Sequence, residues 1–266
     1  MALSPAARAV GEALGRWRTR IAETQTLTRL TLSLLQGGDR VDDERRRHLG
    51  RLLHVELRTL IQLPHLDFAS LRTTTHARES GTDLRGADAI AAEAYLSARR
   101  ATVTEMLGEI ADAVVARDAE RASSCIDQGR RALEELSRLL EMLETMMYPR
   151  VSSPEITIGV ALERAAASRG HSIVMAGATN ANLAQVRGLL RLLAEVIESV
   201  GGHAYVHAGR DAGWIEVNVS ANATGAGELS LAVDRIELLR FAAYLLRAQA
   251  RFVEGAWRLA FVSTDV

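Results

Sequence analysis

Apolar residues recur near helical spacing between Pro5 and Gln36, at Val10, Leu14, Ile21, Leu27, Leu30 and Leu34, until Gly37-Gly38 ends the run. The spacing predicts one amphipathic helix in a leading segment, 1–38, whose stripe is a packing surface and a candidate dimer seam. A second helix is expected from Glu44 to Leu63, with Asp42-Asp43 at its electropositive end and Pro64 closing it. The polar, aperiodic stretch Thr73 to Gly86 reads as a loop. Ala87 to Met147 is then helical in pattern, interrupted only by Gly108 and Gly129. Unbroken, it would run about 90 Å, so a fold-back is expected near Arg117-Asp118, where Asp118 can cap a new helix. The pattern leaves open whether Thr73 to Met147 adds one helix or two, and it makes 39–150 an antiparallel helical bundle.

The pattern changes at Tyr148-Pro149-Arg150-Val151-Ser152-Ser153-Pro154, a segment that does not continue a helix easily. Beyond it, over 151–266, periods alternate. Ile156 to Ser168, Leu183 to Val200 and Asp234 to Gln249 read as helices. Ser172 to Ala176, Ala204 to Ala208 and Trp214 to Ser220 read as strands. A hairpin is expected from Arg251 to Val253 and Trp257 to Ser263, turning at Glu254-Gly255-Ala256. The fold class is therefore α+β, an N-terminal helical bundle followed by an α/β layer structure.

Composition narrows the chemistry. The chain has 266 residues, 48% of them hydrophobic and 4% aromatic, enough apolar material for a sizeable core in one large or two small domains. All 32 basic residues are arginine, set against 33 acidic residues for a formal net charge of −1. A general nucleic-acid affinity lacks its usual electrostatic footprint. Without lysine, Schiff-base chemistry, a pyridoxal phosphate anchor and a P-loop are excluded. A single cysteine, Cys125, forms no intrachain disulfide, and its helical, small-residue surroundings read as packing. No membrane span or signal peptide is visible, and the expectation is a cytoplasmic protein.

Asp43-Glu44-Arg45-Arg46-Arg47 followed by Arg51-Leu52-Leu53-His54, set in this order of elements, resembles the core of a sensor histidine kinase and is similar to the start of that family's dimerisation and phosphoacceptor helix. Met147-Tyr148-Pro149-Arg150-Val151 is similar to the link into its ATPase domain. Trp214 to Gly225 is similar to the strand that carries its Asp-x-Gly-x-Gly motif. The resemblance covers roughly residues 40 to 266 and implies a dimerising helical hairpin followed by an ATPase-like α/β sandwich.

The departures bear on activity. The resemblance places Glu195 where the family has a Mg²⁺-binding Asn, and Arg191 where Glu or Asn is usual. Ala221 stands where the family's Asp accepts the adenine amino proton, and Ala223 replaces the motif's first glycine. Asn222 and Gly225 are the remnant. A second glycine-rich box is replaced by Glu228-Leu229-Ser230-Leu231. Losing the base-reading acceptor alone costs about 2 to 4 kcal/mol, so ATP hydrolysis and autophosphorylation are not expected and no cofactor is assigned, while the sequence leaves open whether another ligand has replaced ATP. His54 is the candidate phosphoacceptor. The acidic residue that orients such a His normally follows it directly, whereas here Val55 intervenes and Glu56 sits about 100° further round the helix.

Other constellations carry less. His203 and His207 flank Tyr205 on one face of a strand, about 13 Å apart, too far to share an ion. His48, six residues before His54, is not on its face, and His65, His76 and His171 lack ligand spacing. Ser123-Ser124 and Ser152-Ser153 lack a nucleophile context. Arg99-Arg100 and Arg130-Arg131 read as solvated helix faces paired with acids such as Glu134 and Glu135. The expected function is a non-catalytic, histidine-kinase-like homodimer that binds a response regulator or a partner kinase. A phosphotransferase acting through His54 is the alternative, and a coiled-coil adaptor a second.

Overall fold

The structure, a computed structural model, describes residues 4–36, 42–73, 84–147, 155–184, 188–211, 213–223 and 230–264. Tyr148, Pro149, Ser152, Ser153, His76, Gly225 and Glu228-Leu229, together with the expected segment boundaries at 38 and 150, lie outside them. The fold is mixed α+β, with helices first and a mixed sheet after. The chain forms two compact units, one from Met1–Thr75 with Glu93–Glu141 and one from His76–Ala92 with Met142–Val266.

The first unit is helical. Helix α1 (Pro5–Gln36) begins as expected, burying Val10, Leu14, Trp17 and Ile21. Its second half turns a different face inward. Thr24, Thr28 and Thr31 are buried, while Leu30 is 56% and Leu34 41% exposed. The threonines can go inside because each hydroxyl reaches a carbonyl one turn back, on Arg20, Gln25 and Leu27, at 2.8–3.0 Å. A leucine count alone therefore picks the wrong side of this half. Helix α2 (Asp43–Ile61) starts at Asp42, whose carboxylate accepts the Arg45 amide at 2.7 Å. Past it, Trp17 donates its indole N–H to the Pro64 carbonyl at 2.8 Å, and the Arg100 guanidinium lies 5.0 Å from that ring's centroid. Arg100 is thus a packing residue and not simply a solvated one.

Two helices occupy the long run, α3 (Leu84–Val115) and α4 (Ala119–Met147). Helix α3 takes in the last three residues of the expected loop, Leu84 to Gly86. The fold-back falls where Arg117 adopts a left-handed φ of 64° and Asp118 caps α4 through the Arg121 amide at 2.9 Å. Tyr95 and Arg99 of α3 meet Glu135 of α4, the phenol donating to Oε1 at 2.6 Å. Cys125 is buried and contacts the Glu109 carboxylate at 3.3 Å, and burial pushes its thiol pKa up, which suits packing and not nucleophilic attack.

The second unit contains a five-stranded sheet in the order β2-β4-β5-β7-β6 and a two-stranded pair β1-β3. Its elements run β1 (Ile156–Thr157), α5 (Ile158–Ala167), β2 (Ser172–Gly177), β3 (Asn182–Leu183), α6 (Leu189–Ser199), β4 (His203–Asp211), β5 (Trp214–Ser220), α7 (Val233–Leu245), β6 (Gln249–Val253) and β7 (Ala256–Val262). Strands β2 and β4 are parallel and the other neighbours antiparallel. Three expectations need correction. Ile156-Thr157 and Leu183 belong to the small strand pair, because Thr157 is needed as the N-cap of α5 and α6 does not begin until after Gly188. Helix α7 stops at Leu245, and a left-handed Arg247 (φ 59°) turns the chain into β6. The hairpin turn is the two residues Glu254-Gly255, both at positive φ, so Ala256 already pairs with Val253.

Alternation along the strands sends Ala204, Val206, Ile215, Val217, Val219, Trp257, Leu259 and Phe261 to one face, where all are buried. Helix α6 is buried along most of its length where it packs against α5 and α7, with Arg191, Glu195 and Glu198 on one stripe of an otherwise mostly apolar surface. Trp257, with no exposed surface, donates its indole N–H to Ser199 Oγ at 2.8 Å, joining β7 to the end of α6.

Candidate functional site

On α2, His54 is exposed and shares its side of the helix with Arg51 and Arg58, three residues before and four after, both also exposed. Glu56 points elsewhere. Its residue is 8% exposed, Oε1 accepts the Thr24 hydroxyl at 2.7 Å, and Oε2 takes Arg20 Nη1 at 3.2 Å. Arg20 in turn holds Glu23 at 2.6 Å. His54 and Glu56 therefore have different surroundings. The imidazole faces outward among cations, and the carboxylate is consumed in tying α2 to α1. The sequence signal for this was available in principle, since Glu56 lies in register with Leu49, Leu53 and Leu60, the buried stripe of α2.

The positions aligned with a nucleotide pocket lie in the α/β unit. Glu195 sits in mid-α6 with no exposed surface. Its Oε1 is 2.6 Å from Arg169 Nη2 and its Oε2 is 3.6 Å from Arg235 Nη2. Arg169 also binds Glu198 at 2.6 Å through Nη1. The segment after α5 and the first turn of α7 thereby clamp one carboxylate of α6. A buried charge of this kind is stable only when paired, and a carboxylate held by two guanidiniums is poorly placed to exchange them for a hard cation. Arg191 donates to Thr145 Oγ1. At the end of β5, Ala221 and Ala223 are exposed, and Asn222 contributes its main-chain carbonyl to Ser220 Oγ at 2.7 Å. Glu195 is thus engaged by two arginines, and the side chain at Ala221 is a methyl group with no hydrogen-bonding atom.

Sequence reasoning missed Arg20, Thr24, Arg169 and Arg235 as the partners in these clusters. Glu195 shares one stripe of α6 with Arg191 and Glu198, and periodicity within that helix does not name the distant arginines that pair with it. Among the described residues no group of His, Cys, Asp and Glu is arranged to hold a metal ion. No helix among them is long and apolar enough to cross a membrane.

No protein-family model matches the chain, and no curated protein matches it in sequence. Among solved structures, the chain is similar to the blue-light activated histidine kinase of Erythrobacter litoralis, with 16% identity and a TM-score of 0.29. The match covers 60% of this chain and 63% of that one, so the chain spans just under two thirds of that kinase's length.

Proposed function

We propose that the chain is a non-catalytic regulatory protein of histidine-kinase type, working by binding a response regulator or a partner kinase. What carries the reading is Glu195. In the resemblance it occupies the Mg²⁺ position, yet its carboxylate is buried and taken by Arg169 and Arg235. Ala221 adds the second loss, since a methyl group accepts no hydrogen bond from adenine. Titration of a fluorescent ATP analogue with Mg²⁺ into the full chain tests this. The expected result is no saturation up to about 100 μM, a ceiling of roughly 5.5 kcal/mol of affinity. Saturable binding below that, or self-labelling from ATP, overturns the reading.

A second reading is supported by the exposure of His54 between Arg51 and Arg58, which suits an imidazole that meets a phosphoryl group. Here the chain relays phosphoryl groups between response regulators through His54 without ATP. Transfer of label from a phosphorylated regulator, abolished by His54→Ala, is its expected signature, and retention of label in His54→Ala removes it. A coiled-coil adaptor accounts for the helical unit but gives no role to the five-stranded sheet.

The homodimer belongs to the same proposal, with α1 as its seam. Leu30 and Leu34, exposed one turn apart, form an apolar stripe on a helix whose other side is buried. Sedimentation of the wild type and of Leu30→Glu with Leu34→Glu tests it. The expectation is a dimer that becomes a monomer, and a wild-type monomer at micromolar concentration overturns it.

A further inference from the structure

The sheet's outer face, opposite Ala204, Val217 and Leu259, carries a line of polar residues fixed by strand register. His207 pairs with Asn218, Asn218 with Arg258, and Arg258 with Arg251. Residues paired in this way share a face, with neighbours about 4.8 Å apart, and all four are exposed. Two arginines thus stand directly opposite each other on β6 and β7, an arrangement that destabilises a sheet. Neither has a carboxylate partner among the described residues. Glu216 stands one pair away, opposite Gly209 and Ala260. The contrast within the same unit is sharp, since Arg169, Arg235 and Arg240 all hold carboxylates. A local rule broken without compensation marks a place where something else supplies the counter-charge.

We propose that the outer sheet face at Arg251 and Arg258 binds an acidic polypeptide segment of a partner protein. This rests on the reading of the chain as a protein-binding regulator and names the surface used. Two guanidiniums side by side match carboxylates presented by a peptide, and Asn218 and His207 extend the line of hydrogen-bonding groups. The same face exposes Val174, Val253 and Val262, and arginines among aliphatic side chains are the composition of a protein interface. A single-stranded nucleic acid is less well served. It needs open aromatic faces, and Tyr205 is half-buried with His203 packed edge-on at 5.4 Å.

The test is a charge-swap series in the full chain, Arg251→Glu, Arg258→Glu and both together, read by two measurements. Anisotropy of a fluorescein-labelled oligoglutamate peptide at low ionic strength reports binding, with an oligothymidylate of equal length as the competing class. Thermal unfolding reports the pair. Each single swap is expected to weaken peptide binding tenfold or more while raising the unfolding midpoint by about 1 to 3 °C, because an opposed like-charge pair becomes an ion pair. The double swap is expected to lose peptide binding with the midpoint back near the wild-type value. Unchanged peptide binding in the single swaps overturns the proposal. So does an unchanged midpoint, or oligothymidylate binding as tight as the peptide. A positive Mg–ATP titration would instead overturn the regulator reading alone, since it reports on Glu195 and Ala221 and not on this face.

Discussion

Arg169 Nη2 lies 2.6 Å from Oε1 of Glu195, a carboxylate with no exposed surface, while the same guanidinium holds the partly exposed Glu198. The two carboxylates make an internal comparison. Removing Glu195 leaves Arg169 and Arg235 facing a desolvated gap, and breaking a buried pair from one side costs about 3 kcal/mol or more. Removing Glu198 strips a carboxylate that is 28% exposed and costs under about 1 kcal/mol. Urea unfolding of Glu195→Ala and Glu198→Ala, followed by circular dichroism, is expected to show that order. Equal costs would mean that the cluster is not held through Glu195.

The pair His54 and Glu56 is expected to separate in the same kind of measurement. His54 is exposed, so His54→Ala is expected to leave stability within about 0.5 kcal/mol of the wild type. Glu56→Ala removes the nearer of two acceptors of the Thr24 hydroxyl and one of two carboxylates on Arg20, and a loss of about 1 to 2 kcal/mol is expected. A neutral Glu56→Ala would return that carboxylate to the role of orienting His54.

Much of the fold was legible because the periods are long and clean. Pro5 to Gln36, the Asp118 fold-back, the three inner strands and the closing hairpin, though not its exact turn, follow from spacing and turn chemistry. What was not legible involves residues distant in the chain. Leu30 and Leu34 look like core and are exposed, because Thr24, Thr28 and Thr31 can bury hydroxyls on their own helix. Ile156-Thr157 and Asn182-Leu183 are strands only through each other. At the candidate sites, the sequence named Glu56 and Glu195 but not their arginines, and a carboxylate cannot be assigned a role until its cation is known.

Tyr95 gives a pH dependence with a definite sign. Burial, and then donation to Glu135, push its phenol pKa from the usual 10 up to about 12, only partly offset by Arg99. The folded chain holds the neutral phenol, so the folded state binds more protons than the unfolded between those values. The stability it contributes is complete below pH 10 and is lost as pH rises through about 12, on the order of 2 kcal/mol in all. Urea midpoints measured across that interval are expected to fall, and to fall less in Tyr95→Phe. An identical pH slope in the two proteins would place the alkaline sensitivity elsewhere.

The indole of Trp257 and the hydroxyl of Ser199 test how β7 is joined to α6. The indole N–H is buried and its acceptor is Ser199 Oγ at 2.8 Å, while the Ser199 hydroxyl itself donates to the Val196 carbonyl at 2.7 Å. Ser199→Ala leaves the buried N–H without that acceptor, and a cost of about 1 to 3 kcal/mol is expected. Trp257→Phe removes the donor together with part of the core volume and is costly for the second reason alone. In that background Ser199→Ala strands no donor, so its cost is expected to shrink, leaving a coupling of about 1 kcal/mol in a double-mutant cycle. If Ser199→Ala costs the same in both backgrounds, the bond contributes nothing to stability, and Ser199 acts only through the Val196 carbonyl.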